Sequence, residues 1–175
     1  MSVYFLMIFL LKNSVMKINL DDKNRQILGV LQQDSSLSVK DIAAKIGLSF
    51  TPTYERIKAL EEAGVIKKYV ALVDREKVGL GIVAICNVQL KEQSKKALLA
   101  FEKAACLVPE IIEIICVSGQ YDYMLRIVST DIKKYNEFVM DVISSLPNVW
   151  HYHSSIILSE VKQETAYHLP QIQEN

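Results

Sequence analysis

Between Ser38 and Ala63 the chain spells two helices separated by a break of only four residues, and few folds accept that join. Ser38 can cap the first helix, and Asp41 three residues later completes a Ser-x-x-acid box. Ile42, Ala43 and Ile46 fall on one face, and Gly47 is the residue best able to take a left-handed C-terminal cap. The second helix starts near Ser49 and runs to about Ala63, because Pro52 is tolerated only in a first turn, where its missing N–H costs nothing. Ile57 and Leu60 form its inward face and Gly64 ends it. Upstream, residues from about Asp22 to Gln33 predict a support helix with Ile27, Leu28 and Leu31 on the buried side and Asp21 and Asp22 at its positive end. Helix, turn over Gly47 to Phe50, helix, behind a support helix, is the helix-turn-helix arrangement.

What remains outward defines a candidate nucleic-acid surface. The third helix offers Ser49, Thr51, Thr53, Tyr54 and Arg56 near its start, with Lys58 a little later. Short hydroxyls and an arginine at the N-terminal end of a helix suit the base edges of a major groove. Lys40 and Lys45 on the preceding helix, and Lys67 and Lys68 beyond the third, are within reach of phosphates in such a docking. The competing reading is a three-helix bundle whose polar face is simply hydrated. Whole-chain charge does not separate the two, since 20 Lys and Arg balance 20 Asp and Glu. Its distribution leans one way: residues 16–80 hold 11 basic and 9 acidic side chains, residues 81–175 hold 8 and 11.

The segment Val65 to Leu80 alternates apolar and polar residues through Tyr69-Val70-Ala71-Leu72-Val73 before Asp74-Arg75-Glu76. It predicts a strand with a charged turn, serving as a wing or as a linker strand. The back half then predicts a strand at Ile82 to Leu90 and a helix from Ser94 with Ala97, Leu98, Phe101, Ala104, Ala105 and Val108 on one face, stopped at Pro109. Strands at Ile111 to Val117 and Tyr121 to Ser129 flank the turn Ser118-Gly119-Gln120. A helix opened by Asp131, with Tyr135, Phe138, Val139, Val142 and Leu146 inward, runs to Pro147-Asn148, and Val149 to Leu158 forms a last strand. The order βαββαβ is a ferredoxin-like sheet with helices on one face, so the other face needs cover, and dimerisation supplies it. The fold class expected is α+β.

Several chemistries lack their residues. Cys86, Cys106 and Cys116 are odd in number, share no CxxC spacing and sit in apolar stretches, which predicts free core thiols in a reducing, cytoplasmic setting. His151 and His153 share one side of the last strand without a third ligand at a convincing spacing, so no metal is expected; Trp150 and Tyr152 read as interface aromatics. No catalytic triad, phosphate loop or HExxH appears. The apolar run Val3 to Leu11 is too short for a membrane helix and lacks the basic flank and cleavage site of a signal peptide. Residues 1–15 read as an over-long start or a disordered extension, with an ordinary N-terminus at Met16.

Residues 47–69, with Leu48-Ser49, Thr51-Pro52, Arg56, Leu60-Glu61 and Gly64-Val65-Ile66 in order, resemble the recognition helix and exit strand of the Lrp/AsnC (feast/famine) transcription regulators. Gly119-Gln120-Tyr121-Asp122-Tyr123 resembles that family's Gly-x-Tyr-Asp-Tyr turn, and the two modules together extend the resemblance over about Leu20 to Thr165. It implies an N-terminal (winged) helix-turn-helix domain over 16–65, a linker strand or hairpin over 66–80, a ferredoxin-like, AsnC-type effector and oligomerisation domain over 81–165, and a tail over 166–175. It implies a non-enzymatic regulator of double-stranded DNA without a cofactor, assembled as a homodimer or as a tetramer or octamer, away from membranes. The implied DNA-binding set is Lys40, Lys45, Ser49, Phe50, Thr51, Pro52, Thr53, Tyr54, Arg56 and Lys58. Gly119, Gln120, Tyr121, Asp122 and Tyr123 are implied to bind a small effector, an amino acid, with Asp122 holding its ammonium or orienting the loop. For Asp122 the competing role is a local backbone bond in a tight hairpin. Sirohaem decarboxylases, enzymes that resemble the same two-module scaffold and bind a tetrapyrrole in the back module, are the alternative that His151 and His153 raise.

Overall fold

The computed structural model describes residues 20–169, so the N-terminal extension predicted over 1–15 lies outside the described residues. Two units are present. One comprises residues 20–72 together with 162–169, the other Val73–Val161.

The first unit holds α1 (Asp22–Gln33), α2 (Val39–Ile46) and α3 (Phe50–Glu62). Asp21 caps α1 by accepting the Asn24 N–H at 2.8 Å, and the Ser38 hydroxyl accepts the Asp41 N–H at 3.2 Å. Gly47 takes φ 65°, ψ 44°, a conformation that would crowd a Cβ, and so ends α2 and turns the chain into α3. Ile27, Leu28, Ile42, Ile46, Ile57 and Leu60 make a single small core.

The C-terminal segment completes this unit. Tyr167 donates its N–H to Gln32 Oε1 at 2.7 Å and accepts from Gln32 Nε2 at 3.2 Å, while Leu169 packs against the helical core. Residues 162–169, the end of the module expected over 81–165 and the start of the tail expected over 166–175, pack with the helical unit as far as they are described. Single-sequence patterning misses this because a glutamine reading a backbone amide leaves no periodic trace.

The second unit holds β1 (Ile82–Leu90), α4 (Lys95–Ala105), β2 (Ile111–Cys116), β3 (Tyr123–Ser129), α5 (Ile132–Asp141), a short 3-10 turn (Ile143–Ser145) and β4 (Val149–Ile156). The antiparallel sheet has the order β2-β3-β1-β4. Ala84, Cys86, Val88 and Leu90 of β1 and Tyr123, Leu125 and Ile127 of β3 join Phe101, Ala105, Tyr135, Val139, Ile143 and Leu146 in the core beneath the helices. The alternate residues Ile85, Asn87, Gln89, Met124 and Arg126 line the opposite, open face. Arg75 and Arg126 both pair with Glu160, and the Arg75 guanidinium also donates to Leu80 O at 3.1 Å.

Three expectations are corrected. No strand forms over 66–80: Tyr69, Val70, Leu72 and Val73 are exposed, because alternation yields a strand only where another strand offers a ladder. The helix opened by Asp131 ends at Asp141 rather than at Pro147; Asn148, with φ 65°, instead fastens β4 to the end of β1, accepting from Lys91 N at 2.9 Å and bonding both Glu92 N and Glu92 O. Of the three thiols only Cys86 is buried. Burial also pushes the thiols of Cys86 and Cys116 above the ordinary value. Alkylation at pH 8 is accordingly expected to modify Cys106 first, Cys116 slowly and Cys86 only on unfolding, an order that peptide mass mapping over time reads directly. Cys86 reacting as fast as Cys106 would mean that the sheet opens readily.

Candidate nucleic-acid interface and effector turn

The candidate recognition surface is the solvent side of α3. Ser49 is its N-cap and its hydroxyl makes no capping bond, so the side chain stays presented at the helix start. Phe50, Thr51, Tyr54 and Lys58 are exposed and Pro52 is half-buried within the first turn. Lys40 and Lys45 are exposed on α2, as are Lys67 and Lys68 beyond α3. Glu55, absent from the candidate set above, is also exposed between Tyr54 and Arg56; its acceptor oxygens suit the amino group of a cytosine edge, and a search for basic and hydroxyl residues passes over it.

Two candidates point elsewhere. Thr53 is fully buried, its hydroxyl donating to Ser49 O at 2.9 Å, so it closes the first turn of α3 from inside and does not face a groove. Its position on the same stripe as Ile57 and Leu60, four and seven residues on, is the signal that places it inward. Arg56 turns toward α1, donating to Asp21 Oδ2 at 2.6 Å and Asn24 Oδ1 at 2.9 Å. The Asn24 N–H first, and the Arg56 guanidinium after it, hold the Asp21 carboxyl below its ordinary value. A lowered folded value means that this contribution to stability is complete above pH 3.8 and fades as pH falls through the folded value. Arg56 thus braces the recognition helix against its support, a role that sequence spacing between residues 35 apart cannot display.

The Gly119 turn divides similarly. Gly119 adopts φ 136°, and with Gln120 it is exposed, leaving backbone groups open to solvent. Tyr121 is half-buried. Asp122 spends both carboxylate oxygens inside the chain, accepting Leu90 N at 2.8 Å and Gln93 Nε2 at 2.9 Å, while its own N–H donates to Val88 O at 2.9 Å. It therefore fixes the turn to the end of β1. Tyr123 is buried beneath the helices, its ring 4.7 Å from that of Phe101 and its hydroxyl donating to Glu102 at 2.7 Å. Burial, and then that bond, raise its phenol well above the ordinary value. It is a core residue, not a surface for an effector. His151 and His153 lie on the open sheet face opposite Gln89 and Asn87, and among the described residues no three potential metal ligands gather.

A helix-turn-helix with lysines around its third helix, followed in the chain by a ferredoxin-like module with an exposed turn, is the architecture of a DNA-binding regulator. The comparisons agree with both halves. Residues 20–67 match a winged helix-turn-helix DNA-binding model and residues 83–167 the Lrp/AsnC ligand binding domain. The DNA-binding transcriptional activator DecR of Escherichia coli is 33% identical over 147 residues, spanning 84% of this chain and 97% of that protein. The transcriptional regulator AzlB of Bacillus subtilis is 34% identical over 85% of this chain and 94% of its own length. A transcriptional regulator of Neisseria meningitidis solved in complex with L-methionine superposes with a TM-score of 0.81 at 32% identity, covering 85% of this chain and 96% of that one. The chain belongs to the Lrp/AsnC family of transcriptional regulators. These relatives carry the names of transcriptional regulators, not of enzymes, and the sirohaem decarboxylase alternative is set aside. No helix among the described residues is long and apolar enough to cross a membrane.

Proposed function

We propose that this regulator changes its DNA affinity or its assembly when an amino acid binds at the turn from Gly119 to Tyr121. The observation that carries the reading is the turn itself: Asp122 anchors it on one side, and the Gly119 and Gln120 backbone stays open for a carboxylate or ammonium to address. The L-methionine complex of the Neisseria relative supports the ligand class. Asp122 acts here as a positioning residue, since its oxygens already have partners. DNA is read by Ser49, Phe50, Thr51, Tyr54 and Lys58 with Lys40 and Lys45 on phosphates, and Arg56 holds α3 in place. Two copies meet through the open sheet face, where Ile85 and Met124 are only half-covered, and the protein works in the cytoplasm without a cofactor.

The test is a gel shift on DNA from just upstream of its own gene against scrambled DNA, near physiological salt so that phosphate-only binding is suppressed. It is run with and without a pool of amino acids. Specific binding that the pool alters supports the proposal, and a coupling of about 1–3 kcal/mol, or roughly 5- to 150-fold in affinity, is the expected size. Asp122→Asn is expected to keep DNA binding and to weaken the response. Binding that no amino acid alters would remove the effector half of the proposal.

A further inference from the structure

Phe50 and Tyr54 stand four residues apart on the exposed side of α3, 55% and 45% exposed. Their rings lie parallel within 6° with centroids 6.2 Å apart, and Lys58 Nζ sits 5.9 Å from the centroid of the Tyr54 ring. The three residues, at i, i+4 and i+8, form one line along the recognition helix. Two large rings left in water cost free energy, and the helix core has not taken them: Thr53, Ile57 and Leu60 fill that side. Single exposed apolar side chains are common, but two parallel rings with a lysine beside them make a small ordered patch whose chemistry can be asked for a partner. Its surroundings name the class of partner. Lys58 lies on the same line and its ammonium faces the Tyr54 ring, Glu55 is exposed beside that ring, and Lys40 and Lys45 are exposed on the helix before it; a mixed apolar and hydrogen-bonding surface with lysines on both helices suits a duplex groove. In a major groove the one apolar group on a base edge is the thymine 5-methyl.

We propose that the Phe50–Tyr54 stack reads thymine methyl groups, so that this regulator's site specificity rests in part on methyls and not only on hydrogen bonds. The inference builds on the assignment of α3 as the DNA-reading helix. It differs from reading by arginine or hydroxyl groups in a measurable respect: the contact disappears when the methyl does, although every hydrogen-bonding group of the base pair stays in place.

The probe is a duplex selected by the intact protein from a random 20-base-pair pool, compared with the same duplex carrying uracil for thymine at one position at a time. At the contacted positions uracil is expected to weaken binding about three- to fivefold each, and elsewhere to change nothing. For Phe50→Ala/Tyr54→Ala, both substitutions lying on exposed positions, the thymine-to-uracil ratio is expected to fall to about one at those same positions. Circular dichroism confirms that the variant keeps its helices, and the single variants Phe50→Leu and Tyr54→Leu give the same reading should the double one unfold. Selection of a specific duplex whose affinity is indifferent to uracil throughout would overturn the methyl proposal and leave the DNA-reading assignment standing. Failure to select any sequence would overturn both. A uracil effect that persists unchanged in the aromatic variants would assign the methyl contact to other residues and likewise end the proposal.

Discussion

Phe101→Ala is expected to cost the βαββαβ module about 3–5 kcal/mol, a large share of the stability of any domain of this size. The ring is fully buried, meets Tyr123 at 4.7 Å and has core residues of β1 and β3 around it. Removing it leaves a cavity that a sheet pinned by Asn148 and Asp122 cannot easily collapse around. Tyr123 would then lose its neighbour while its hydroxyl still holds Glu102, the residue next to the cavity. The single tryptophan, Trp150, lies on β4 of this module, so its fluorescence in a urea titration follows this unit specifically. A midpoint close to that of the parent protein would mean that the space refills and that the core is softer than its burial indicates.

Leu60→Ala is expected to act on the other unit, at about 2–5 kcal/mol. Among the described residues the central cluster of the helical core has six buried members, and Leu60 is 1% exposed among them. Loss of helicity at 222 nm should move to lower urea while the Trp150 transition stays where it was. DNA binding should fall with the helicity, because the recognition surface exists only while α3 is held on α1 and α2. Coincident transitions in both variants would show that the two units melt as one, against the division seen in the fold.

How much of this was legible beforehand depends on the kind of signal. Ser38, Gly47 and Pro52 specify local geometry through atoms of their own neighbourhood, and the helix joins fall where those residues require. The stripe from Ala97 to Ala105 likewise marks a face that water would penalise if exposed. Partnerships across long intervals are different. Arg56 finds Asp21 and Asn24, Asp122 finds Leu90 and Gln93, and Glu160 finds Arg75 and Arg126. In each case composition shows a charged residue and only folding reveals whether it faces a ligand or another part of the chain. Thus α3 was readable as an element, while the division of its residues between an exposed face and the contacts that hold the helix was not. The Val65 to Leu80 segment errs the other way, since its alternation promises a ladder that needs a second strand.

The grip of Gln32 on the backbone of Tyr167 brings residues 162–169 back to the helical unit, so the chain leaves that unit after residue 72 and returns to it from residue 162. A single cut in the connecting stretch before β1 would therefore leave the two pieces one contact, through Gln32, Tyr167 and Leu169. Because both hydrogen bonds are solvent-exposed, that contact is weak: the halves of a nicked molecule should separate on dilution, and Gln32→Ala should hasten it, as size-exclusion chromatography would read.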